Sequence, residues 1–230
     1  MIILVIEMEN KGKLIIVEGA CDGIGKSTQY EKLYQRLVND GYEVLKHHFP
    51  SYGTFHGLAV EKYLAGEFGK IKELSPYFIN SLYANDRAIA WYLELKKAYD
   101  SGMVVLLDRY TTSSIIYQAS VIEDIEERKK FIDYVNDYEY SKLGIGEPDM
   151  VIFLEAPFDM VTKMRNSRSN YEGNSQDIHE TNLEFMKKVY DNAIFVANYL
   201  NWERIVCNNG DRMLDIDTIH ENICKRVLKK

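Results

Sequence analysis

A stretch of small residues near the start of the chain ends in a lysine and two hydroxyl residues, Lys26, Ser27 and Thr28. Gly23 and Gly25 precede the lysine, and glycine lets backbone N–H groups turn toward a bound anion. The lysine ammonium adds positive charge for the outer phosphates of a nucleotide, and the serine hydroxyl is a ligand for Mg²⁺. We therefore predict that ATP and Mg²⁺ bind along this phosphate loop, at Asp22, Gly23, Ile24, Gly25, Lys26, Ser27 and Thr28.

The spacing of this phosphate loop departs from the usual one. A glycine ordinarily stands five residues before the glycine that precedes the lysine, and that position is Ala20 here. Gly19 lies one residue too early, so the loop either carries an extra residue or has its first glycine replaced. A chance Gly-Lys-Ser sequence is the alternative, but a predicted strand before the loop and a predicted helix after it favour a phosphate site.

A second charged pair, Asp108 and Arg109, directly follows an apolar run. Ligands of parallel sheets bind at the carboxyl ends of the strands. An aspartate there is placed to hold Mg²⁺ through water, so Ser27 and Asp108 are the predicted metal residues. An arginine there can grip a phosphate with two hydrogen bonds. The alternative interpretation is an ion pair on the surface.

An aromatic residue and an arginine, Tyr83 and Arg87, stand four residues apart on a predicted helix and share one face. The ring suits stacking on a flat base, and the guanidinium suits a carbonyl at the edge of the base. Such a carbonyl separates thymine or uracil from cytosine, which carries an amino donor instead. A core aromatic beside a solvated arginine is the alternative.

The elements that must position these residues alternate between short β-branched apolar runs and helical stretches. This alternation predicts a single α/β domain over residues 1–230, a three-layer sandwich with a central five-stranded parallel sheet and helices on both faces. Strands are predicted at 13–18, 43–48, 103–107, 150–154 and 204–207. Helices are predicted at 27–39, 75–101 (with or without a break), 111–140, 158–165, 177–200 and 216–228.

The net charge of −7 makes the chain a poor nonspecific binder of nucleic acid, since phosphate attraction needs a basic face. The three cysteines are scattered and odd in number, which indicates a reducing compartment and a cytoplasmic location. The apolar run at residues 1–7 is too short to span a membrane, so no membrane partner is expected.

Several motifs together resemble the thymidylate kinases, part of the nucleoside monophosphate kinase group. Each motif is weak alone, but their order and separations are specific. They are Glu18-Gly19 with Asp22 to Thr28, Phe49-Pro50, residues 82–87, Asp108-Arg109-Tyr110 and Pro148-Asp149.

The resemblance implies transfer of the γ-phosphate of ATP to dTMP, a step of nucleotide biosynthesis, by a homodimer. It implies that Arg109 bridges the donor and acceptor phosphates and that Asp22 contacts the acceptor sugar or the metal. Phe49 would form a wall of the acceptor pocket, although a plain core role is equally open.

The same resemblance implies roles around the base. Tyr83 would stack on thymine, where the family is expected to have phenylalanine, and Arg87 would reach O4. Ser114 would lie near the base, and Tyr117 would screen the sugar against a 2′-hydroxyl.

The phosphate loop carries no arginine, so the resemblance places the remaining catalytic charge in a lid near residues 165–176. Arg165 and Arg168 are the candidates, with solvent-exposed helix-end charges as the alternative. Asn208 is a candidate for the border of the adenine site, and His47 and His48 are predicted to be structural. The predicted catalytic residues are Lys26, Arg109, Asp22, Arg165 and Arg168.

Two other functions stay open on the sequence. One is a different P-loop kinase acting on a (deoxy)nucleoside or another nucleoside monophosphate. The other is a nucleotide-binding module whose altered loop no longer catalyses.

Overall fold

The computed structural model describes residues 11–69, 73–169 and 183–228, with backbone only at 166–169. The strands of its main sheet are β1 Lys13–Gly19, β2 Val44–His48, β3 Val104–Asp108, β4 Met150–Glu155 and β5 Glu203–Val206. The helices are α1 Lys26–Asn39, α2 Leu58–Leu64, α3 Pro76–Ala90, α4 Lys96–Asp100, α5 Thr111–Ala119, α6 Ile125–Asn136, α7 Phe158–Ser169, α8 Leu183–Tyr199 and α9 Ile216–Val227.

The main sheet has five parallel strands in the order β2-β3-β1-β4-β5. The predicted fold class is therefore confirmed. Asp108 is in register with Val17 of β1 and with His48 of β2. The carboxyl ends of these three strands thus meet at one edge, where ligands of such sheets bind.

The two faces of the sheet bury alternate residues of each strand, as the period of two requires. Ile15 and Val17 pack in the same cluster as Leu33 of α1 and Ile219 of α9. Leu14 and Ile16 pack in a second cluster with Trp91, which follows α3. The sheet is therefore the middle of three layers.

Helix α3 begins as the sequence predicts, because the Ser75 hydroxyl accepts a hydrogen bond from the Tyr77 N–H at 3.2 Å and Pro76 occupies the first turn. The helix continues through a π-helical segment, Trp91–Leu95, into α4. A second π-helical segment, Asp137–Lys142, follows α6.

Two helix boundaries differ clearly from the prediction. The helix predicted at 111–140 is two helices, since α5 ends at Ala119 and α6 begins at Ile125. The helix predicted at 158–165 continues as α7 to Ser169, into the stretch predicted as a lid. No glycine or proline interrupts it before that point, so nothing in the backbone stops the helix. Residues 170–176, the rest of the predicted lid, lie outside the described residues, as do residues 177–182 at the start of the helix predicted at 177–200.

Sequence reasoning missed α2 and a short antiparallel pair, β6 Asn208–Asn209 with β7 Arg212–Met213. Among the helices in the described parts of the chain, none is long and apolar enough to cross a membrane.

Candidate active site

The phosphate loop connects β1 to α1 through two glycines in the left-handed region. Gly23 and Gly25 both have φ 96°, a conformation that glycine adopts at no steric cost. A Cβ on Gly25 would meet no atom within 4 Å. Backbone conformation rather than lack of space therefore requires glycine immediately before the first turn of α1, whose N–H groups form an anion site.

The ladder of β1 extends into the start of the phosphate loop. The Ala20 N–H donates to the Leu154 carbonyl of β4 at 2.9 Å, so the ladder continues past Gly19. Ile24 is 2% exposed, and its Cγ2 would lie 2.8 Å from a Cβ on Gly19. Ile24 therefore anchors the loop in the core and leaves only its backbone for a phosphate.

Lys26 is buried and forms an ion pair with Asp108 at the end of β3. His48 Nδ1 lies 3.1 Å from the other carboxylate oxygen of Asp108. Burial alone would raise the pKa of Asp108, but the hydrogen bond from His48 and the charge of Lys26 lower it to about 2. Asp108 is therefore an anion at neutral pH, held at the phosphate loop.

Arg109 adopts φ 66°, an uncommon value for a residue with a side chain. Its guanidinium forms an ion pair with Asp22 and lies over the Tyr117 ring at 5.6 Å. The Tyr117 hydroxyl donates to the second oxygen of Asp22 at 2.8 Å. Burial would raise the pKa of Asp22, but the charges of Arg109 and Lys26 and the Tyr117 hydrogen bond lower it.

Glu18, to which the sequence analysis gave no role, contacts both Arg109 and the start of α5. It is fully buried and accepts hydrogen bonds from the hydroxyls of Thr112 at 3.0 Å and Ser113 at 2.6 Å. Its other carboxylate oxygen lies 4.0 Å from Arg109 Nη1. Glu18 thus fixes the start of α5 beside the arginine.

A cavity of about 220 Å³ opens beside these residues. All seven predicted acceptor-site residues line it, although they come from five separate segments of the chain. They are Asp22, Phe49, Tyr83, Arg87, Arg109, Ser114 and Tyr117.

A second cavity, of about 200 Å³, follows the phosphate loop and is lined by six of the predicted ATP residues. Three residues line both cavities: Asp22, His48 and Arg109. His48 was predicted to be structural, but it lies at this shared wall. Its position directly before Phe49-Pro50, at a strand end, was the available signal.

Asp86 ties the loop after β2 to helix α3. Its carboxylate is 1% exposed and accepts the Ser51 N–H at 2.9 Å. The other oxygen lies 2.7 Å from His56 Nδ1.

Phe49, in the loop after β2, is buried, and its ring is tilted against that of Tyr110 with ring centroids 5.8 Å apart. Phe49 is therefore both core and cavity wall.

Arg87 is buried rather than solvated, which excludes the alternative of a solvated arginine. It pairs with Glu139 through Nε at 2.6 Å and Nη2 at 2.7 Å, and Nη2 also donates to the Ser114 hydroxyl at 2.8 Å. Glu139 lies 52 residues away in sequence, so no local pattern could reveal it.

Gln118 is a further cavity residue that sequence reasoning missed. It is 5% exposed, and its Oε1 is buried without a hydrogen-bond partner in the described structure. It follows Ser114 by four residues on α5, so the helical period could have pointed to it.

Arg165 and Asn208 line neither of these two cavities. Arg165 lines a small cavity with Cys21 and Asp22, and its Cβ lies 3.1 Å from the place of a Cβ on Gly23. The Arg168 side chain lies outside the described residues. Asn208 lines a separate groove and donates to the Gly210 carbonyl at 3.0 Å.

The donor set for a cation is the Ser27 hydroxyl with the carboxylates of Asp22 and Asp108. These hard oxygen ligands fit Mg²⁺, which usually takes one or two carboxylates together with substrate phosphates. No group of three or more histidine, cysteine or acidic residues suited to a metal occurs among the described residues.

The glycine-lysine-serine loop lies at the carboxyl edge of a parallel sheet, and a second cavity opens beside it. These two features together define a P-loop phosphotransferase. The family model for thymidylate kinase matches residues 17–223. The chain belongs to the thymidylate kinase family.

Individual relatives agree with that model. The chain is 30% identical to a thymidylate kinase of Plasmodium falciparum over 96% of its own length and 92% of the relative. It is 32% identical to a thymidylate kinase of Mycobacterium tuberculosis over 76% and 81% of the two chains. A solved thymidylate kinase of Candida albicans shares the fold with a TM-score of 0.70 at 20% identity, covering 95% of this chain and 92% of that one.

Proposed function

We propose that the protein transfers the γ-phosphoryl group of ATP to dTMP and releases ADP and dTDP. Family membership supports this reaction over other P-loop kinases and over a module that does not catalyse. The observation that carries it is the wall shared by the phosphate cavity and the acceptor cavity, formed by Asp22, His48 and Arg109. A phosphoryl group can pass between two bound nucleotides only where their phosphates meet.

Lys26 and Arg109 supply the positive charge at this wall. Phosphoryl transfer depends on positioning and on charge stabilisation at the equatorial oxygens, and no protein nucleophile is required. Arg109 is held by Asp22 and backed by Glu18, so its guanidinium is oriented before a substrate arrives. Lys26, in the first turn of α1, lines the phosphate cavity together with Arg109.

Ser27, Asp108 and Asp22 would hold Mg²⁺ with the phosphates of ATP. A bound Mg²⁺ neutralises charge on the β- and γ-oxygens. Arg165 borders the phosphate loop at Gly23, which supports a role for it in covering the transferred group. The same role is proposed for Arg168 from the sequence.

The base would be read at the far end of the acceptor cavity. Arg87 carries an N–H for the O4 carbonyl of thymine, and the unpartnered Oε1 of Gln118 suits the N3–H donor. Cytosine presents an amino donor and a bare ring nitrogen at these positions, so it mismatches both. Tyr83 offers a stacking surface, and Tyr117 would lie against the sugar and disfavour a 2′-hydroxyl.

A homodimer is also proposed. Large apolar side chains are exposed on α3 and the segment after it, at Phe78, Tyr92 and Leu93. Their burial against a second copy would remove apolar surface from water. Sedimentation of the protein and of Leu93→Asp tests this, and a monomeric wild type at micromolar concentration would refute it.

The chain's described cysteines, Cys21, Cys207 and Cys224, are buried and unpaired. This supports a cytoplasmic site of action, where thiols stay reduced.

The direct test is formation of ADP from ATP, Mg²⁺ and a panel of dTMP, dUMP, UMP, dCMP and AMP. We expect dTMP to react fastest, and Lys26→Ala to lower kcat by about 10³-fold because one charge at the phosphates is lost. Equal rates across the panel would contradict base reading at Arg87 and Gln118.

Lys32→Ala is the matched control, since Lys32 lies on the same helix but pairs at the surface with Asp217. It should leave kcat unchanged. If the wild type makes no ADP with any acceptor, the kinase assignment is wrong.

A further inference from the structure

Arg87 carries a charge that the protein has removed from water. The side chain is 1% exposed and Glu139, also fully buried, faces it. The two parallel contacts, Nε to Oε2 at 2.6 Å and Nη2 to Oε1 at 2.7 Å, form the planar fork that arginine and carboxylate prefer. A buried charge persists only with such a partner, so Glu139 is required for an arginine at the cavity.

The fork also decides which edge of the guanidinium faces the cavity. A guanidinium has five N–H donors. Glu139 takes one from Nε and one from Nη2, and the Ser114 hydroxyl takes the second from Nη2. Nη1 reaches the Tyr110 carbonyl at a long 3.4 Å. Within the described structure, an N–H of Nη1 is the donor left for a ligand.

Glu139 is itself held in place. The Thr111 hydroxyl donates to Oε2 at 2.9 Å, so the carboxylate is bound by α5 as well as by Arg87 on α3. Glu139 lies in the π-helical segment after α6, and segments of this kind are frequent at functional sites. Three elements thus meet at one carboxylate, which does not itself line the cavity.

We propose that Glu139 is a positioning residue for base selectivity. It turns Arg87 so that a single N–H meets a carbonyl at the edge of the acceptor base. The pyrimidine carrying O4 is thereby favoured over the one carrying an amino group. This inference rests on the proposed function, since it concerns the same acceptor cavity.

The test is Glu139→Gln, which keeps the shape but replaces one acceptor oxygen with an amide that repels the guanidinium. We expect KM for dTMP to rise about tenfold, the loss of one charge-assisted hydrogen bond. The ratio of kcat/KM for dTMP to that for dCMP should fall by a similar factor. The KM for ATP and the kcat at saturating dTMP should stay within about twofold. A fall of kcat with both acceptors at an unchanged ratio would overturn the proposal.

A buried pair can also support folding, and a matched control separates the two roles. Glu155 pairs with Arg204 through Nε at 2.8 Å and Nη2 at 2.7 Å, away from the acceptor cavity. Glu155→Gln should leave the dTMP-to-dCMP ratio unchanged. A ratio lowered equally by both variants would show a general effect of weakening the fold and would overturn the proposal.

Glu139→Asp provides a second variant in case Glu139→Gln does not fold. The aspartate keeps the negative charge that Arg87 needs, but its shorter side chain cannot hold the fork in place. The selectivity ratio should fall several-fold, and an unchanged ratio would count against the proposal.

In the Arg87→Lys background, Glu139→Gln should lower the ratio no further, because Glu139 acts through the guanidinium. An additional loss of selectivity in the double variant would overturn that mechanism.

Failure of the proposed function can be told apart from failure of this inference. If the wild type does not phosphorylate dTMP, the function fails. Equilibrium binding of dTMP and dCMP to wild type and Glu139→Gln then still measures the selectivity ratio without turnover.

Discussion

The phosphate side and the acceptor side of this site are built in opposite ways. The phosphate side comes mainly from one continuous stretch, Cys21 to Thr28, with His48 and Arg109 added from two strand ends, and its two glycines expose backbone N–H groups. The acceptor side is assembled from five segments, and its walls are side chains. Backbone donors tolerate changes of side chain, whereas a wall of side chains depends on the residues that hold each one. The first side should therefore be sensitive to conformation, and the second to buried polar partners.

Arg109, one of the three residues that line both cavities, offers the strongest test of this contrast. Arg109→Ala removes the guanidinium at the shared wall, and we expect kcat/KM for both substrates to fall by about 10³-fold. Steady-state kinetics measures this. Arg36→Ala, which removes a surface arginine paired with Asp40, is the control and should be silent. A loss confined to the KM for dTMP would show that Arg109 serves the acceptor side alone.

The acceptor side should also fail through Asp86, which touches no substrate. Asp86→Ala leaves the Ser51 N–H and His56 without their buried acceptor, and we expect a loss of about 3 kcal/mol in the free energy of unfolding. Urea denaturation measures it. KM for dTMP should rise because Phe49-Pro50 loses its anchor, while KM for ATP should hold. An equal rise in both would contradict a separate acceptor side.

Two glycines of similar geometry sharpen the contrast on the phosphate side. Gly25 and Gly41 flank α1 with φ 96° and 92°, and a Cβ on either meets no atom within 4 Å. Alanine at either position should cost about 1–2 kcal/mol of stability by thermal or urea unfolding. Only Gly25→Ala should also raise KM for ATP, because Gly41 is far from the phosphate loop. Equal kinetic effects would contradict the importance of backbone geometry there.

Substitution of Gln118 should raise the stability of the protein while weakening its binding of dTMP. Gln118→Leu removes a buried oxygen that has no partner, so the unliganded protein should gain about 1 kcal/mol in its free energy of unfolding. KM for dTMP should rise about tenfold, with KM for ATP unchanged. A loss of stability would mean that Oε1 is satisfied in the free protein.

The smallest expected effect is the contribution of His47 to the loss of stability at acidic pH. Burial lowers the pKa of His47 below its usual 6.5, so the unfolded chain binds a proton more readily than the folded one. Stability should therefore fall as pH decreases below about 6.5. In His47→Gln, urea midpoints measured from pH 7 to pH 5 should decline less. An identical decline in both proteins would assign it to other groups.

The same contrast explains what could be predicted from sequence. The phosphate loop, its flanking strand and helix, and the cap at Ser75 are local patterns, and the structure contains them. The lining residues of the acceptor cavity came from motifs in order along the chain. Glu139 could not be found in this way, because its importance depends on Arg87, which it faces across the fold from 52 residues away in sequence. Gln118 was missed although it follows Ser114 by one helical turn, and Glu18 was given no role although it lies in the first of these motifs.

Helix α7 illustrates another limit. The sequence predicted that the helix ends at residue 165, where a polar stretch begins, yet the backbone stays helical to Ser169. Polar composition alone therefore does not determine where a helix ends.

The left-handed turn at Arg109 has a consequence for how this site can change over generations. Asp108 and Arg109 are consecutive, so in the proposed reaction one peptide unit would position groups for both nucleotides, and a change of its backbone would disturb both. The residues at the far end of the acceptor cavity do not line the phosphate cavity as well. They are Tyr83, Arg87, Ser114 and Gln118. Substitutions at that end should therefore change the acceptor preference without disturbing the residues proposed to carry out the transfer.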